Sequence, residues 1–258
     1  FTRPGKPSDN CHIESFNVIF RNEYNNNKQT WRDNSLYMLT PEKKYDIKGE
    51  MLREDLLSMC DPVPNKILSI GCGTAFTEMH LKKSGAEIWG IDFVPESVEI
   101  AKQRIDHVIC GDLESDNFLS IPEQYFDLII ATDILEHLRY PEFVIKKISK
   151  WLSAEGQLII SVPNSSHYTA IRSLLLNRDW IYASAGLFDE AHYRIFTRKS
   201  IIRFMNQTGY KVIMIKPKCS RSKKIPMRLL QYIFINTISF GIDYFAMQWL
   251  IKAEPRDK

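Results

Sequence analysis

Two glycines and one aspartate have the types and spacing that bind a nucleoside. Gly71 and Gly73 end the apolar run 66–70, and glycine lets a ligand come close to backbone N–H groups because it has no Cβ. Asp92 ends the next apolar run about twenty residues later, where a carboxylate can accept hydrogen bonds from both hydroxyls of a ribose. The spacing therefore predicts a nucleoside-binding crevice.

The pattern of the glycines argues against a pyrophosphate ligand. The turn reads G-x-G-x-A, with Ala75 in the last position, whereas dinucleotide-binding turns read G-x-G-x-x-G. No G-x-x-x-x-G-K-[ST] phosphate-binding loop occurs in the sequence. A plain strand, turn and helix is the alternative interpretation of the glycines alone.

The sequence from Lys66 to Phe76 resembles motif I of the class I S-adenosylmethionine-dependent methyltransferases, a strand followed by G-C-G-T-G. Ala75 stands where the third glycine is usual, and the resemblance extends over residues 66–164. It implies S-adenosylmethionine as the cofactor and S-adenosylhomocysteine as its product. It also implies a set of cofactor-binding residues, namely Gly71, Cys72, Gly73, Asp92, Phe93, Asp112, Leu113 and Asp133.

Two histidines are the candidate catalytic residues. Methyl transfer to a hydroxyl requires an aligned nucleophile and a base that takes its proton. His137 follows the fourth predicted strand and His192 lies in a later loop, and histidine, with an unperturbed pKa of about 6.5, can accept a proton near neutral pH. In the alternative interpretation, His137 only holds its turn and His192 only forms hydrogen bonds within its loop.

A divalent metal ion is the alternative to a histidine base. Asp133, Glu136 and His137 have i, i+3, i+4 spacing, which on one helical turn would direct them toward one point. The segment resembles the E-x-x-E-H metal-binding segment of ubiquinone-pathway O-methyltransferases and of small-RNA 2′-O-methyltransferases, where His192 would match a later histidine ligand. Magnesium or manganese would lower the pKa of a bound hydroxyl. Because E-H pairs at this place also occur in metal-free relatives, we expect no metal.

Apolar runs alternate with amphipathic segments in the manner of a doubly wound α/β fold. Strands are predicted at 66–70, 88–92, 108–112, 125–133, 156–164, 210–215 and 244–253. Helices are predicted at 76–84, 95–104, 141–152 and after an N-cap at Thr197. The sequence thus predicts a Rossmann-like, seven-stranded sheet with helices on both faces, and the resemblance implies a mostly parallel sheet whose last strand is antiparallel.

The sequence predicts an N-terminal extension (1–64) and a methyltransferase domain (65–258) with insertions at 165–196 and 216–243. The first insertion is aromatic-rich and begins at the carboxyl end of the fifth strand, so we expect it to cover an acceptor pocket. Its tail, residues 186–197, resembles the G-L-x-D-x-x-H-x-R-x-F-T segment of methyltransferases encoded with glycan and O-antigen pathways.

The N-terminal extension is predicted to be helical and to cover the cofactor. An N-cap at Thr40 predicts a helix that continues through Met51, Leu52, Leu56 and Leu57. We expect this helix to act as a lid, with Tyr45 or Arg53 at the methionine end of the cofactor. An amphipathic helix that only packs against the core is the alternative.

The second insertion begins basic and becomes apolar. Its uncharged run ends at Asp243 and is shorter than the roughly 20 residues that a transmembrane helix needs. We therefore expect no transmembrane segment. Contact with an anionic membrane surface or with a phosphate-bearing acceptor is one interpretation, and a solvated charge run is the alternative.

The composition agrees with an enzyme that acts on small molecules. The formal net charge is +3 and no RNA-binding module accompanies the domain, so we expect no nucleic-acid partner. Five cysteines without a C-x-x-C pair predict reduced thiols and a cytoplasmic location. The expected function is O-methylation of a sugar-like or other small metabolite in a glycan or cell-surface pathway. The alternatives are an RNA 2′-O-methyltransferase with a divalent metal and a non-catalytic S-adenosylmethionine-binding protein.

Overall fold

The computed structural model describes residues 50–115, 118, 120–219 and 241–256. The sheet contains β1 Lys66–Ile70, β2 Glu87–Asp92, β3 His107–Cys110, β4 Phe126–Thr132, β5 Leu152–Pro163, β6 Tyr210–Cys219 and β7 Ala246–Pro255. Their order is β3-β2-β1-β4-β5-β7-β6. Strand β7 is antiparallel to both β5 and β6, and the other neighbouring strands are parallel. The predicted Rossmann-like sheet is confirmed.

Seven α-helices lie within the described residues. They are α1 Glu54–Leu57, α2 Glu78–Lys82, α3 Pro95–Ala101, α4 Pro141–Ile148, α5 Tyr168–Arg172, α6 Arg198–Gln207 and α7 Gly241–Phe245. The predicted N-cap is confirmed, because the Thr197 side chain accepts a hydrogen bond from Ser200 N while Ser200 Oγ accepts one from Thr197 N. None of these described helices has the length and apolar composition needed to cross a membrane.

The central strand β4 is buried on both faces. Leu128 and Ile130 pack with residues of α1, α2 and α3, whereas Ile129 and Ala131 pack with residues of α4 and α6. Successive side chains of a strand point to opposite faces, so each face of the sheet is covered by its own group of helices. The prediction of helices on both faces is thereby confirmed.

The predicted helix is found at Leu56 and Leu57, which lie in α1, but the prediction is wrong for Met51 and Leu52, since α1 begins only at Glu54. Met51 is 71% exposed, and Arg53 has non-helical backbone angles. The Arg53 amide donates a hydrogen bond of 3.3 Å to Thr77 Oγ1 at the far end of the glycine turn. This tertiary contact replaces the helical hydrogen bond that the local sequence predicts.

The second predicted insertion begins too early. Residues from Lys216 to Cys219 belong to β6, because β7 continues to pair with them. The remaining part of that insertion at 220–240, the predicted helix start at Thr40 and the candidate Tyr45 lie outside the described residues.

A buried glutamate beneath the glycine turn gives a prediction about stability. Glu78 is 6% exposed and accepts a 2.7 Å hydrogen bond from Ser69 Oγ, and burial raises the pKa of its carboxyl above the ordinary value of 4.5. The proton that Glu78 retains on folding therefore stabilises the fold at low pH. That contribution is lost as the pH rises through the raised pKa.

We expect Glu78→Gln to be more stable than the unsubstituted protein at pH 8, by about 1–3 kcal/mol, because it removes a buried charge and keeps an acceptor for Ser69. The difference in unfolding free energy between the variant and the unsubstituted protein should become smaller toward pH 4. Urea unfolding at both pH values measures it, with the exposed Glu99→Gln in α3 as the matched control. A difference that does not vary with pH would contradict the assignment.

Candidate active site

The glycine turn lies where the order of strands reverses, between β1 and its neighbours β2 and β4. Gly71 and Gly73 have positive φ angles of 66° and 52°. A Cβ on Gly71 would collide with the Ile134 side chain, whereas a Cβ on Gly73 would meet no atom within 4 Å. Gly71 thus permits close packing, and Gly73 faces the open space that we call the cofactor crevice.

The amides of the turn do not all face that crevice. Gly71 N and Cys72 N donate to the Ile91 carbonyl at 2.8 and 3.1 Å, so they fix the turn. The Cys72 side chain is 7% exposed, and its Sγ lies 2.6 Å from where a Cβ on Gly90 would be. This differs from the expectation that the backbone N–H groups here point at a ligand, because β2 already uses two of them.

Asp92 lies directly against the turn. Its Oδ2 accepts a 2.8 Å hydrogen bond from Gly73 N, and its Oδ1 accepts one of 2.9 Å from Val94 N. The residue is 8% exposed, and burial raises the pKa of its carboxyl although these hydrogen bonds oppose the shift. The structure therefore brings together the glycine and the carboxylate on which the nucleoside prediction rests.

The other predicted residues on β2 and β3 have different environments. Phe93, next to Asp92, is 48% exposed. Asp112 is exposed in the turn after β3, where it accepts hydrogen bonds from the following residues. Leu113 is 8% exposed and packs in the core, so its backbone is the part that can line the crevice.

Asp133 is held by three elements. It has a φ of 57°, and its Oδ2 lies 2.8 Å from Arg53 Nη1. Its Oδ1 accepts hydrogen bonds from Ser161 Oγ at 2.8 Å and Gln248 Nε2 at 3.0 Å. The sequence analysis missed Ser161 and Gln248. Ser161 had a usable signal, a hydroxyl within an apolar strand, but Gln248 reaches this place only through the pairing of β7 with β5.

The segment containing Arg53 connects the glycine turn to the far side of the sheet. Glu50 accepts hydrogen bonds from Thr74 Oγ1 at 2.8 Å and Arg104 Nη1 at 2.6 Å. Asp55 binds Arg53 Nε at 2.9 Å and lies 3.4 Å from Lys218 Nζ at the end of β6. Charged side chains of residues 50–55 thus contact both the turn and β6.

The two candidate histidines lie side by side. His137 is in the 3₁₀ turn Leu135–His137, and its ring centroid is 4.8 Å from that of His192. The Ala191 carbonyl lies 3.1 Å from His137 Nδ1, so that nitrogen is the donor and Nε2 carries the lone pair. The amide of Tyr193 also donates to the Glu136 carbonyl, at 2.8 Å. These bonds fasten the first insertion to the turn and bring His192 to His137.

Three of the four predicted metal ligands lie close together. The ligand atoms of Glu136, His137 and His192 lie within 4.8 Å of one another, and Asp133 is not part of the group. The expectation that Asp133 shares one helical turn with them is wrong, since its left-handed φ directs it to Arg53 instead. Two imidazoles and one carboxylate suit manganese, iron or zinc better than magnesium.

Glu136 is an unusual carboxyl for this position. It is 1% exposed, and its Oε2 has no hydrogen-bond partner among the described residues. Burial raises its pKa well above the ordinary value, and the negative charges of Asp133 and Asp189 raise it further. A nearby positive charge, on a cation or an imidazolium, would instead lower the pKa of Glu136.

A cleft of about 530 Å³ joins these groups, and we call it the acceptor cleft. It is lined by Asp133, Glu136, His137, Pro163, His167, Thr169, Gly186, Leu187, Asp189, His192, Lys218, Cys219, Met247 and Gln248. It lies at the carboxyl ends of β4 and β5, where ligands of open α/β sheets bind. The first insertion forms part of its wall, but Trp180 and Tyr182 line a separate small hollow instead. The expected cover by Trp180 and Tyr182 is therefore not found at this cleft, where the insertion instead contributes His167, Thr169, Gly186, Leu187, Asp189 and His192.

A protein-family model described as a methyltransferase domain matches residues 41–215. The ubiquinone biosynthesis O-methyltransferase of Pelagibacter ubique is 30% identical over 138 residues, which are 51% of this chain and 56% of that protein. The malonyl-[acyl-carrier protein] O-methyltransferase of Anoxybacillus flavithermus is 33% identical over 104 residues, 38% of this chain and 39% of that protein. The chain thus spans about half the length, or less, of these curated relatives.

Solved structures share the fold at low sequence identity. A SAM-dependent methyltransferase from Archaeoglobus fulgidus superposes with a TM-score of 0.55 at 16% identity, over 78% of this chain and 93% of that one. The [4+2]-cyclase SpnF superposes with a TM-score of 0.53, also at 16% identity, over 79% and 80%. A cyclase with this fold illustrates that the fold alone does not determine the reaction.

Family membership rests on more than the fold. The matching family model covers more than half of the chain and includes the glycine turn, Asp92 and the histidine-bearing turn after β4. The strand order, with its antiparallel last strand, agrees with it. The chain therefore belongs to the class I S-adenosylmethionine-dependent methyltransferases, whose cofactor is S-adenosylmethionine.

Proposed function

We propose that this protein is an O-methyltransferase that methylates a hydroxyl group of a sugar-like or other small acceptor in a glycan or cell-surface pathway. The observation that carries the proposal is the acceptor cleft, which is lined by the two adjacent histidines and by Asp133. The names of the curated relatives support O-methylation. The resemblance of residues 186–197 to glycan-pathway methyltransferases supports the class of acceptor.

The cofactor crevice fits an adenosyl group. Gly73 leaves open the space that a side chain would fill, and the Asp92 carboxylate stands at its edge as an acceptor for ribose hydroxyls. Phe93 and Asp112 flank Asp92 on the β3 side. When bound, S-adenosylmethionine supplies an electrophilic methyl group, and S-adenosylhomocysteine remains. Arg53, close to Asp133, is the proposed contact for its methionine end.

His137 is the proposed general base. Its Nδ1–H is oriented by the Ala191 carbonyl, so Nε2 is the atom that takes the proton from the acceptor hydroxyl as the new O–CH₃ bond forms. His192, whose ring lies against that of His137, would help to orient the acceptor. Both histidines line the same cleft, which holds reacting groups in a limited volume.

The lining of the cleft favours a hydroxyl-rich acceptor. Asp133, Asp189 and Gln248 offer oxygen atoms to hydroxyl donors, and Lys218 at the end of β6 can meet one anionic group such as a phosphate. The Asp189 carboxylate, which lines the cleft together with the histidines, would repel the phosphate chain of an RNA, and this disfavours the RNA alternative. The four described cysteines are free, in keeping with the proposed cytoplasmic location.

A metal-assisted form of the same reaction is the second candidate. It is favoured by the convergence of Glu136, His137 and His192. These residues would hold the ion, which would lower the pKa of the acceptor hydroxyl. In that case His137 would be a ligand and could not also serve as the base.

Replacing Asp92 should weaken cofactor binding selectively. We expect Asp92→Asn to raise the Kd for S-adenosylmethionine by about ten- to a hundredfold, because a hydrogen bond to a charged group contributes about 1.5–3 kcal/mol. Asparagine keeps one acceptor oxygen for Gly73 N or Val94 N, and thermal melts establish that the variant is folded. Isothermal titration calorimetry measures the affinity, with the exposed Glu96→Gln in α3 as control. An unchanged Kd would remove the basis for the cofactor crevice.

Replacing the histidines should affect turnover and leave cofactor binding intact. We expect His137→Ala to lower kcat by about 10²–10⁴-fold and His192→Ala to lower it less, with the Kd for S-adenosylmethionine unchanged. The exposed His107→Ala in β3 is the matched control. Turnover of the unsubstituted protein should survive a chelator. Loss on chelation with recovery on added manganese would instead establish the metal-assisted form.

The acceptor class can be tested by the formation of S-adenosylhomocysteine with nucleotide sugars, glycans, small phenols and short RNAs. We expect turnover with a sugar hydroxyl and none with RNA, because the cleft presents carboxylates and hydrogen-bond acceptors. Turnover with RNA alone would refute the proposed acceptor. No turnover with any acceptor despite tight cofactor binding would favour the non-catalytic alternative.

A further inference from the structure

An exposed group of leucines lies at the tip of the first insertion. Helix α5 continues as a π-helical turn, Ser173–Asn177, that has no buried residue. Leu174, Leu175 and Leu176 are 51%, 71% and 73% exposed. We call residues 173–179 the leucine tip. Large apolar side chains that are so exposed and consecutive are unusual on a protein surface that meets only water.

The leucine tip is closed on itself. Ser173 Oγ donates to the Asp179 carbonyl at 2.8 Å, and Asp179 N donates to the Ser173 carbonyl at 3.4 Å. Arg178 adopts a left-handed conformation with a φ of 54° and ends the helical turn. These bonds hold the two ends of the tip together, so the leucines project from a defined loop.

The base of the tip is anchored in the protein. Ala170 in α5 is fully buried, and the rings of Trp180 and Phe188 pack with centroids 4.7 Å apart. Ala183 N donates to the Phe188 carbonyl at 2.8 Å. The base of the leucine tip is therefore fixed by packing and by backbone hydrogen bonds, whereas the three leucines project into solvent.

The surroundings of the leucine tip extend its apolar surface and add positive charge. Ile181 and Tyr182 directly follow its base and are 67% and 64% exposed. Arg172 precedes the tip and Arg178 lies near its end, while Asp179 is the one acidic residue between positions 172 and 182. Leucines bordered by a tyrosine and by arginines have the chemistry of segments that lie in a membrane interface.

We propose that the leucine tip docks on a bilayer that contains anionic lipids, with Leu175 and Leu176 in the acyl region and the two arginines at the headgroups. A second copy of the chain is a poorer occupant, because a two-fold contact centred on the tip would bring together four arginines and only two aspartates. A bilayer instead supplies both apolar depth and negative charge.

Docking has a consequence for the acceptor cleft. His167 and Thr169, just before the tip, line that cleft, and so do Gly186 and Leu187 after it. One insertion therefore carries both the leucine tip and part of the cleft wall, so docking keeps the cleft close to the bilayer. The docking does not depend on the proposed function, but its use to reach a lipid-linked hydroxyl acceptor does.

The test is co-sedimentation of the full chain with vesicles of phosphatidylcholine, with and without phosphatidylglycerol. We expect binding to the anionic vesicles, a loss of at least about tenfold in Leu175→Ser/Leu176→Ser, and weaker binding with less salt dependence in Arg172→Gln/Arg178→Gln. The matched control is Tyr140→Ser/Phe143→Ser, which removes two exposed aromatic residues near α4. Thermal melts establish that each variant is folded.

Three outcomes would overturn the proposal. These are no binding of the unsubstituted protein to either vesicle, equal binding by the leucine variant, or equal loss in the control variant. Light scattering without lipid adds a fourth, a dimer that Leu175→Ser/Leu176→Ser dissociates, which would assign the tip to a second copy. Methyl transfer to a soluble acceptor should be unchanged in the leucine variant, so failure of docking and failure of the proposed function are distinguishable.

Discussion

The missing side chain of Gly71 is the constraint on which the site depends. Ile134 occupies the place where a Cβ would be, so the turn after β1 and the turn after β4 pack directly on each other. The turn after β1 carries Gly73, which binds Asp92 at the end of β2, and the turn after β4 carries Asp133 and leads to His137. Close packing here therefore sets the cofactor crevice beside the acceptor cleft, as a transfer reaction requires.

The core strands, and the contact of Gly73 with Asp92 at their ends, were predictable because apolar runs and turn glycines can be recognised in the sequence. Each core strand is an apolar run in the sequence. Because β4 is buried on both faces, its run is nearly continuous and differs clearly from that of an exposed segment. The start of α1 was not predictable, because the Arg53 amide is taken by Thr77, a residue in another element. The extension of β6 through Lys218 likewise depends on pairing with β7.

The same distinction explains which site residues the sequence could reveal. His137 and Asp92 follow strands at places where parallel sheets bind ligands, so position alone indicated them. The pairing of His137 with His192 instead arises from hydrogen bonds across the insertion, such as that from Tyr193 N to the Glu136 carbonyl. The i, i+3, i+4 spacing wrongly predicted that Asp133 lies with Glu136 and His137. That spacing assumes a helix, which the backbone does not form at Asp133.

The buried carboxyl of Glu136 connects the electrostatics of the cleft to its chemistry. Before reaction, burial and the charges of Asp133 and Asp189 disfavour its ionised form, which is a cost to the resting site. In the proposed mechanism a histidine takes a proton from the acceptor, so a positive charge develops close to the buried Glu136. Because attraction to that charge exists only once the proton has moved, it stabilises the products of proton transfer more than the reactants. The ionised form of Glu136, which burial disfavours in the resting site, would thereby be favoured once an imidazolium forms beside it.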